Sequence, residues 1–314
     1  MRVTRIAMML MIWALLGSSS AKAEGSVKVF ILAGQSNMEG KATNQLLNHQ
    51  ATDPKTKDLF AHLRKGDKWI VRDDVFIKFL KRHGGLTIGY GSPKRTGVEL
   101  EFGTVMGDHF DEPVLLIKTA WGGRSIYKPF RPPSAGLPSE EKLKVELERA
   151  IKRVENLNKK RNKKLPIPTI ADIKASYGSD YRNMLNEIEE THKNFARMFP
   201  SLKGKQLEIT GFVWFQGWND QYNGAEKEYA SNLKHFIKDV RRDLKAPNLP
   251  FVIGVMGQNG SKPAKGAMLA IQKAQMSMEK IPEFKSTVKA IRTDVLVDKA
   301  AEKLYPTWRK NFEE

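Results

Sequence analysis

Three short stretches combine a hydroxyl, glycines and amide or carboxylate side chains in patterns that could do chemistry. The first, Val29 to Ala42, reads VFILAGQSNMEGKA. A strand running into a glycine-rich turn exposes backbone N–H groups, and the helix that follows aims its positive end at any anion there. Such a turn suits a phosphate loop or a serine nucleophile. Spacing disfavours the first: a Walker loop places four residues between its glycines and follows its Lys with Ser or Thr, whereas five residues separate Gly34 from Gly40 and Ala42 follows Lys41. A third reading of Ser36, as a helix N-cap, stays open.

The other two stretches are TAWGGRSI, Thr119 to Ile126, and WFQGWND, Trp214 to Asp220. Each follows an apolar run directly. Acyl transfer needs a hydroxyl that attacks a carbonyl and donors that hold the developing oxyanion. Glycines let a backbone N–H approach closely, and an Asn side chain adds a neutral donor. The competing reading of Asn219 and Asp220 is an Asx-turn that closes a loop.

The elements that must position these turns are legible as alternating strands and helices. VKVFILAG, PVLLIKTA, ITGFVWFQG, PFVIGVMG and TVKAIRTD are short β-branched-rich runs of the kind covered on both faces. From Glu226 onward Tyr229, Leu233, Phe236, Ile237, Val240 and Leu244 form one apolar stripe of a helix. Alternation of this kind predicts an α/β fold, a parallel sheet between helical layers with right-handed crossovers. In such sheets the site lies beyond the carboxyl ends of the strands, so the three turns should meet at one edge.

The chain opens with Arg2 and Arg5, an apolar run from Ile6 to Leu16, and Ala21 and Ala23 around Lys22. This pattern predicts a signal peptide over residues 1–23, cleaved after Ala23, and a secreted or periplasmic product. The run is shorter than the ~20 residues of a membrane span, and no later segment is apolar for that long. With no cysteine among 314 residues, the chain uses neither disulfides nor thiolate metal sites. The formal net charge of +18 stays strongly positive after Arg2, Arg5 and Lys22 leave. Acidic polysaccharide is then a candidate partner beside a plain basic surface; nucleic acid is not expected, because no DNA- or RNA-binding motif occurs. Basic residues concentrate between Ser139 and Lys164, where ten Lys or Arg face five Glu. There Leu143, Leu147, Ile151 and Val154 recur at helical spacing, and Tyr181, Leu185, Ile188, His192 and Phe195 share the face of a second helix that ends near Pro200. Together they read as a helical insertion at about 135–200.

GQSNMEG, TAWGGRSI and WFQGWND resemble the first three sequence blocks of the SGNH hydrolase superfamily, in particular its sialate O-acetylesterase-like and carbohydrate esterase family six branch. The resemblance spans roughly Val27 to Asp294. It implies a flavodoxin-like three-layer sandwich, a serine esterase acting on acetyl esters of sugars, and no cofactor or metal. It further implies Ser36 as nucleophile, and the N–H groups of Ser36 and Gly123 with the Asn219 side chain as the oxyanion hole. Gln216 competes with Asn219 for that last place. Trp218 stands where many relatives carry Glu, which leaves Asp220 as the candidate for orienting a base. Val98, in GVELEFG, stands where the family has Pro; Glu99 then belongs to the first turn of a helix, where its charge suits the dipole.

The family supplies its base in a block reading Asp, two residues, His near the C-terminus. No such block occurs here: Asp298 is followed three residues later by Ala301, and no histidine follows His235. His109, His192 and His235 fall on expected helices, and His49, His62 and His83 in the irregular stretch after the nucleophile. Residues 24–314 are therefore expected to form an esterase domain that lacks its C-terminal catalytic block, with Leu304, Tyr305, Trp308 and Phe312 left uncovered. The alternative is a glycan-binding protein that keeps the esterase cleft without turnover.

The basic insertion is expected to tune partner choice and not chemistry. Neutralising Lys159, Lys160, Arg161, Lys163 and Lys164 should weaken binding to polyanions in a salt-dependent way, since exposed charges are screened beyond ~8 Å at physiological ionic strength. Hydrolysis of a small neutral acetate ester should keep its parent rate. A collapse of that rate would put the insertion inside the site.

Overall fold

The computed structural model describes residues 25–161, 164–257 and 260–313, with residues 308–313 described for their backbone alone. The expected signal segment, residues 1–23, lies outside the described residues, as do Lys163 and the side chains of Trp308 and Phe312.

Apolar, β-branched runs form the strands β1 (Ser26–Gly34), β2 (Val75–Phe79), β3 (Arg82–Gly85), β4 (Val114–Ala120), β5 (Gln206–Phe215), β6 (Phe251–Val255) and β7 (Val288–Arg292). They make one sheet in the order β7-β6-β5-β1-β4-β2-β3. Every pair is parallel except β2 with β3. The five strands legible in the sequence thus stand in the order 2-1-3-4-5, the flavodoxin-like arrangement, whose switch point lies beside the first strand. The hairpin β2–β3 is an unforeseen addition at the β4 edge. His83 pairs within it, so this histidine belongs to a strand and not to an irregular stretch.

The helices that flank or extend this sheet include α1 (Glu99–His109), α2 (Glu140–Arg161), α3 (Ile170–Ser176), α4 (Ser179–Lys193), α5 (Glu226–Asp243), α6 (Gly266–Ser277) and α7 (Lys299–Glu313). Side chains alternate across β1. Val29 and Ile31 join Trp214, Phe236 and Tyr181 on the face covered by α4, α5 and α6, while Phe30 and Leu32 join Leu116 and Leu100 on the face covered by α1. Rings lock the first face, with Trp214 centred 4.4 Å from Phe236 and 5.1 Å from Phe130. Leu304 and Tyr305 on α7 are exposed.

The segment expected as one insertion divides into two kinds of structure. In α4, Tyr181, Met184 and Ile188 are buried in the main core, so this helix is the cover of the β4–β5 crossover. In α2 and α3, Leu143 and Ile173 form a small separate cluster with Tyr177. The basic helix therefore stands outside the sandwich, and the helix after it belongs to the sandwich. Helical spacing alone does not distinguish the two, because both carry one apolar stripe.

Glu99 opens α1, in the first turn as expected, and it has a buried partner there. Its side chain and that of Lys118 on β4 are both fully buried, and Lys118 Nζ lies 2.7 Å from Glu99 Oε2. Lys118 also donates to Tyr90 O at 2.9 Å and stands 4.8 Å from the centre of the Phe79 ring. Burial pulls the Lys118 pKa below the ordinary lysine value, and the Glu99 carboxylate opposes that pull. The pair ties α1 to the sheet.

A buried charge stripped of its partner is far more costly than a pair removed whole. Lys118→Met should lower stability by about 3–5 kcal/mol, and the double change Lys118→Met with Glu99→Gln should cost less than the single one. Urea unfolding measures both. A single-variant loss below about 1 kcal/mol would show that water reaches the pair.

Candidate active site

The three turns meet at the carboxyl edge of the sheet, at its switch point. Ser36 follows β1 after Gly34 and Gln35, and opens one helical turn, Ser36–Glu39. Gly34 has φ of +152°, and a Cβ there would stand 2.2 Å from Phe215 O, so only glycine lets the β1 turn lie against the end of β5. The N-cap position of that turn is Gln35 and no side chain caps it. The Ser36 hydroxyl is therefore not spent on an N-cap bond.

The Gly-Gly turn after β4 reaches Ser36. A Cβ on Gly122 would stand 3.7 Å from Ser36 Oγ, 3.0 Å from Glu39 Oε2 and 3.6 Å from Lys41 Nζ. The Gly122 backbone is among the groups that lower the Glu39 pKa. Gly123 adopts φ of +73°, in the left-handed region. Open space surrounds its missing Cβ.

Glu39 and Lys41 were legible only as part of a glycine-rich turn. Glu39 Oε1 accepts from Ser92 Oγ at 2.6 Å, and Lys41 Nζ donates to Glu39 Oε2 at 2.9 Å and to Ser92 Oγ at 2.7 Å. Burial raises the Glu39 pKa, but the Ser92 and Lys41 hydrogen bonds outweigh it and hold the carboxyl below its ordinary value. Lys41 is thus committed to a carboxylate. That is a further reason to set the phosphate-loop reading aside.

The turn after β5 is held by amides. Gln35 is buried, and its Nε2 donates to Asn219 Oδ1 at 3.0 Å. Its Oε1 accepts from Gln216 Nε2 at 3.2 Å and from the backbone amides of Gly217 and Asn219 at 3.3 Å. Gln216 also donates to Arg124 O at 2.8 Å and to Asp220 Oδ2 at 2.6 Å. From beneath, Gln275 Nε2 and Tyr229 Oη donate to Gln216 O at 2.7 and 3.1 Å.

This geometry separates the two candidate donors. Gln216 spends its amide nitrogen entirely inside the network and is buried. Asn219 gives only its oxygen to Gln35, which leaves its Nδ2 hydrogens available, and its side chain borders an open cleft. Gln35 is the residue that sequence reasoning missed. The available signal was its place directly before Ser36, where a side chain that both donates and accepts can join two turns.

Asp220, expected to orient a base, accepts from backbone amides and from Gln216. It is fully buried; Oδ2 accepts from Ile126 N at 3.0 Å and Oδ1 from Tyr127 N at 2.8 Å, beside the bond from Gln216. Its carboxylate thereby fastens the segment just after the Gly122–Gly123 turn. Burial pushes its pKa up to about 6, against the opposing pull of Gln216 and the two backbone amides. No histidine is bonded to it among the described residues.

The histidines lie elsewhere. His62 pairs with Glu101 at 2.9 Å and His235 with Ser134 Oγ at 2.7 Å. His49, on a short helix Asn44–Gln50, lies 3.8 Å from Asp53. The His83 and His109 rings stack edgewise on Phe199 and Phe110. His192 sits in the last turn of α4.

A family model described as carbohydrate esterase, sialic acid-specific acetylesterase, matches residues 26–301. Among curated proteins no sequence match is found. Among solved structures the chain is similar to NanS, at 13% identity and a TM-score of 0.49, over 85% of this chain and 77% of that one. It is similar to a protein from Arabidopsis thaliana at 16% identity and a TM-score of 0.48, over 85% of each chain. A carbohydrate acetylesterase from Xanthomonas citri matches at 14% identity and a TM-score of 0.44, over 85% of this chain and 50% of that one.

The raised Asp220 carboxyl has a measurable consequence. The folded protein holds this proton more tightly than the unfolded chain, so Asp220 favours folding most at low pH and loses that contribution as pH rises through about 6. Wild-type stability relative to Asp220→Asn should rise as pH falls from 7 toward 4, by up to about 1.4 kcal/mol per pH unit. Paired urea titrations follow the difference. A flat difference would mean that the carboxyl titrates as it does in the unfolded chain.

Proposed function

The chain belongs to the sialic acid-specific acetylesterase family of carbohydrate esterases, and on that premise we propose that it is an exported carbohydrate O-acetylesterase with Ser36 as its nucleophile. The observation that carries this reading is the meeting of an uncapped Ser36 hydroxyl, the Gly122–Gly123 turn and the Asn219 amide at one sheet edge.

In this reading Ser36 Oγ attacks the acetyl carbonyl carbon. Charge then develops on the carbonyl oxygen, and the N–H groups of Ser36 and Gly123 with Asn219 Nδ2 donate to it. Gln35 holds the Asn219 amide in the orientation that presents its nitrogen. Glu39 and Asp220 position the glycine turn from either side and touch no reacting atom. Collapse of the tetrahedral intermediate releases the sugar hydroxyl and leaves an acetyl-serine, which water hydrolyses.

The Ser36 proton needs an acceptor, and none of the six histidines is bonded to Ser36 among the described residues. We therefore infer that residues 24–314 carry nucleophile and oxyanion donors without the family's histidine block, and turn over slowly. Serine hydrolases stripped of a triad member keep about 10³- to 10⁴-fold acceleration over water from oxyanion donors and binding. The same observation favours a second reading, a glycan-binding protein that retains the cleft and does not hydrolyse.

Acetate release from an acetylated sugar tests both. Ser36→Ala should abolish it with an unchanged melting temperature, and Asn219→Ala should lose about 10²- to 10³-fold in kcat. Equal release by wild type and Ser36→Ala would exclude the serine mechanism. Binding of the sugar with no Ser36-dependent release at all would leave the binding-protein reading.

A further inference from the structure

Beside Asn219 the surface opens into a cavity of about 690 Å³. That volume suits a small ligand, since such sites commonly span about 300–1,000 Å³. Three parts of the chain wall it: the turn at Ser125–Lys128, the inner face of α2, and the segment from Tyr222 to Glu228. The first wall is the segment fastened by Asp220, and the third follows directly from the Asn219 turn. The cavity is thus contiguous with Asn219, one of the proposed oxyanion donors.

Charges on its walls are already neutralised within the protein. Lys128 pairs with Glu146, whose other oxygen accepts from Tyr177 Oη at 2.6 Å. Glu228 receives Arg131 at 3.1 Å and Lys142 at 3.3 Å. Glu141 and Arg149 remain; they are eight residues apart on α2 and so stand about 12 Å from each other along its axis. A ligand carboxylate would have to displace an existing partner or rely on exposed Arg149 alone. Hydroxyl groups face no such conflict, because each can donate to a carboxylate and accept from an ammonium without breaking the pair. An aromatic surface is also offered: Tyr222 is 53% exposed at the cavity wall, a large ring left partly unpacked next to a polar cleft.

We propose that this cavity is the subsite for an uncharged, polyhydroxylated sugar ring, with Tyr222 as its stacking platform and α2 as its outer wall. The proposal deepens the esterase reading and rests on it for the placement of the acetyl group. A second hollow, lined by Lys152, Arg153 and Lys160, continues further along the same side of α2 and shares Arg149 with this one.

Titration calorimetry of the full chain with xylobiose, cellobiose and lactose, and with N-acetylneuraminic acid, tests it. At least one neutral disaccharide should bind with an affinity that does not change between low and high salt, and Tyr222→Ala should weaken it about tenfold. Binding of N-acetylneuraminic acid alone, weakening with salt and lost in Arg149→Ala, would overturn the neutral subsite in favour of an acidic one. Equal neutral-sugar affinity in wild type and Tyr222→Ala, or no sugar binding at all, would overturn the subsite outright. Hydrolysis of phenyl acetate by wild type and its loss in Ser36→Ala report on the esterase reading separately. Neutral-sugar binding without that hydrolysis supports the subsite and removes the esterase, while hydrolysis without sugar binding does the reverse.

Discussion

Backbone amides that turn inward at the end of a buried sheet must find acceptors, and this requirement organises the whole site. A buried N–H left unpaired costs on the order of a lost hydrogen bond. Here Gln35 Oε1 accepts from two amides of the β5 turn, and Asp220 accepts from two amides of the β4 turn. Gln216 joins these acceptors by donating to both. The three turns therefore cannot move independently, and the distance from Ser36 to the Gly122–Gly123 turn follows from their shared bonds.

Charge is handled in the same way, by internal partners in place of solvent. Glu39 holds Gly122 from one side while Lys41 and Ser92 hold Glu39. Deeper in, Lys118 and Glu99 bind α1 to the sheet with neither side chain exposed. Each pair keeps an ionised group close to the site without leaving its field uncompensated. A developing oxyanion would then be met chiefly by neutral N–H donors. Such donors are already oriented, so little reorganisation is needed when charge appears.

Much of the scaffold was legible because five short β-branched-rich runs stood out, even with lysine inside three of them at Lys28, Lys118 and Lys289. The β2 strand, VFIKF, carries Lys78; this lysine is buried and paired with Glu187 of α4, a compensation visible only in three dimensions. Helical spacing identified α4 but not its role, since an apolar stripe has the same period on a core helix and on an outlying one. At the site, glycines and Ser36 were legible from turn chemistry. Asp220 shows the limit of that signal: an acidic residue after a strand looks the same in sequence whether it orients a base or accepts backbone amides, and here it accepts two. Gln35 gave no periodic signal, although its two-sided amide is what joins two turns.

Net charge is the feature least able to identify a partner here. A chain of +18 suggests polyanions, yet near Asn219 each cation but one is already matched by a carboxylate from a neighbouring segment. The excess lies elsewhere, as in the second half of α2 with Lys152, Arg153 and Lys160. Long-range attraction depends on the sum of charges, whereas recognition at contact depends on which of them remain unpaired. The two can therefore select for different chemistry on one molecule. A basic outer surface would gather the protein onto acidic polymers, while a cleft whose charges are internally paired would favour hydroxyls over carboxylates. A single helix is enough to separate those functions along its length, and α2 carries the paired charges in its first half and Lys152, Arg153 and Lys160 in its second.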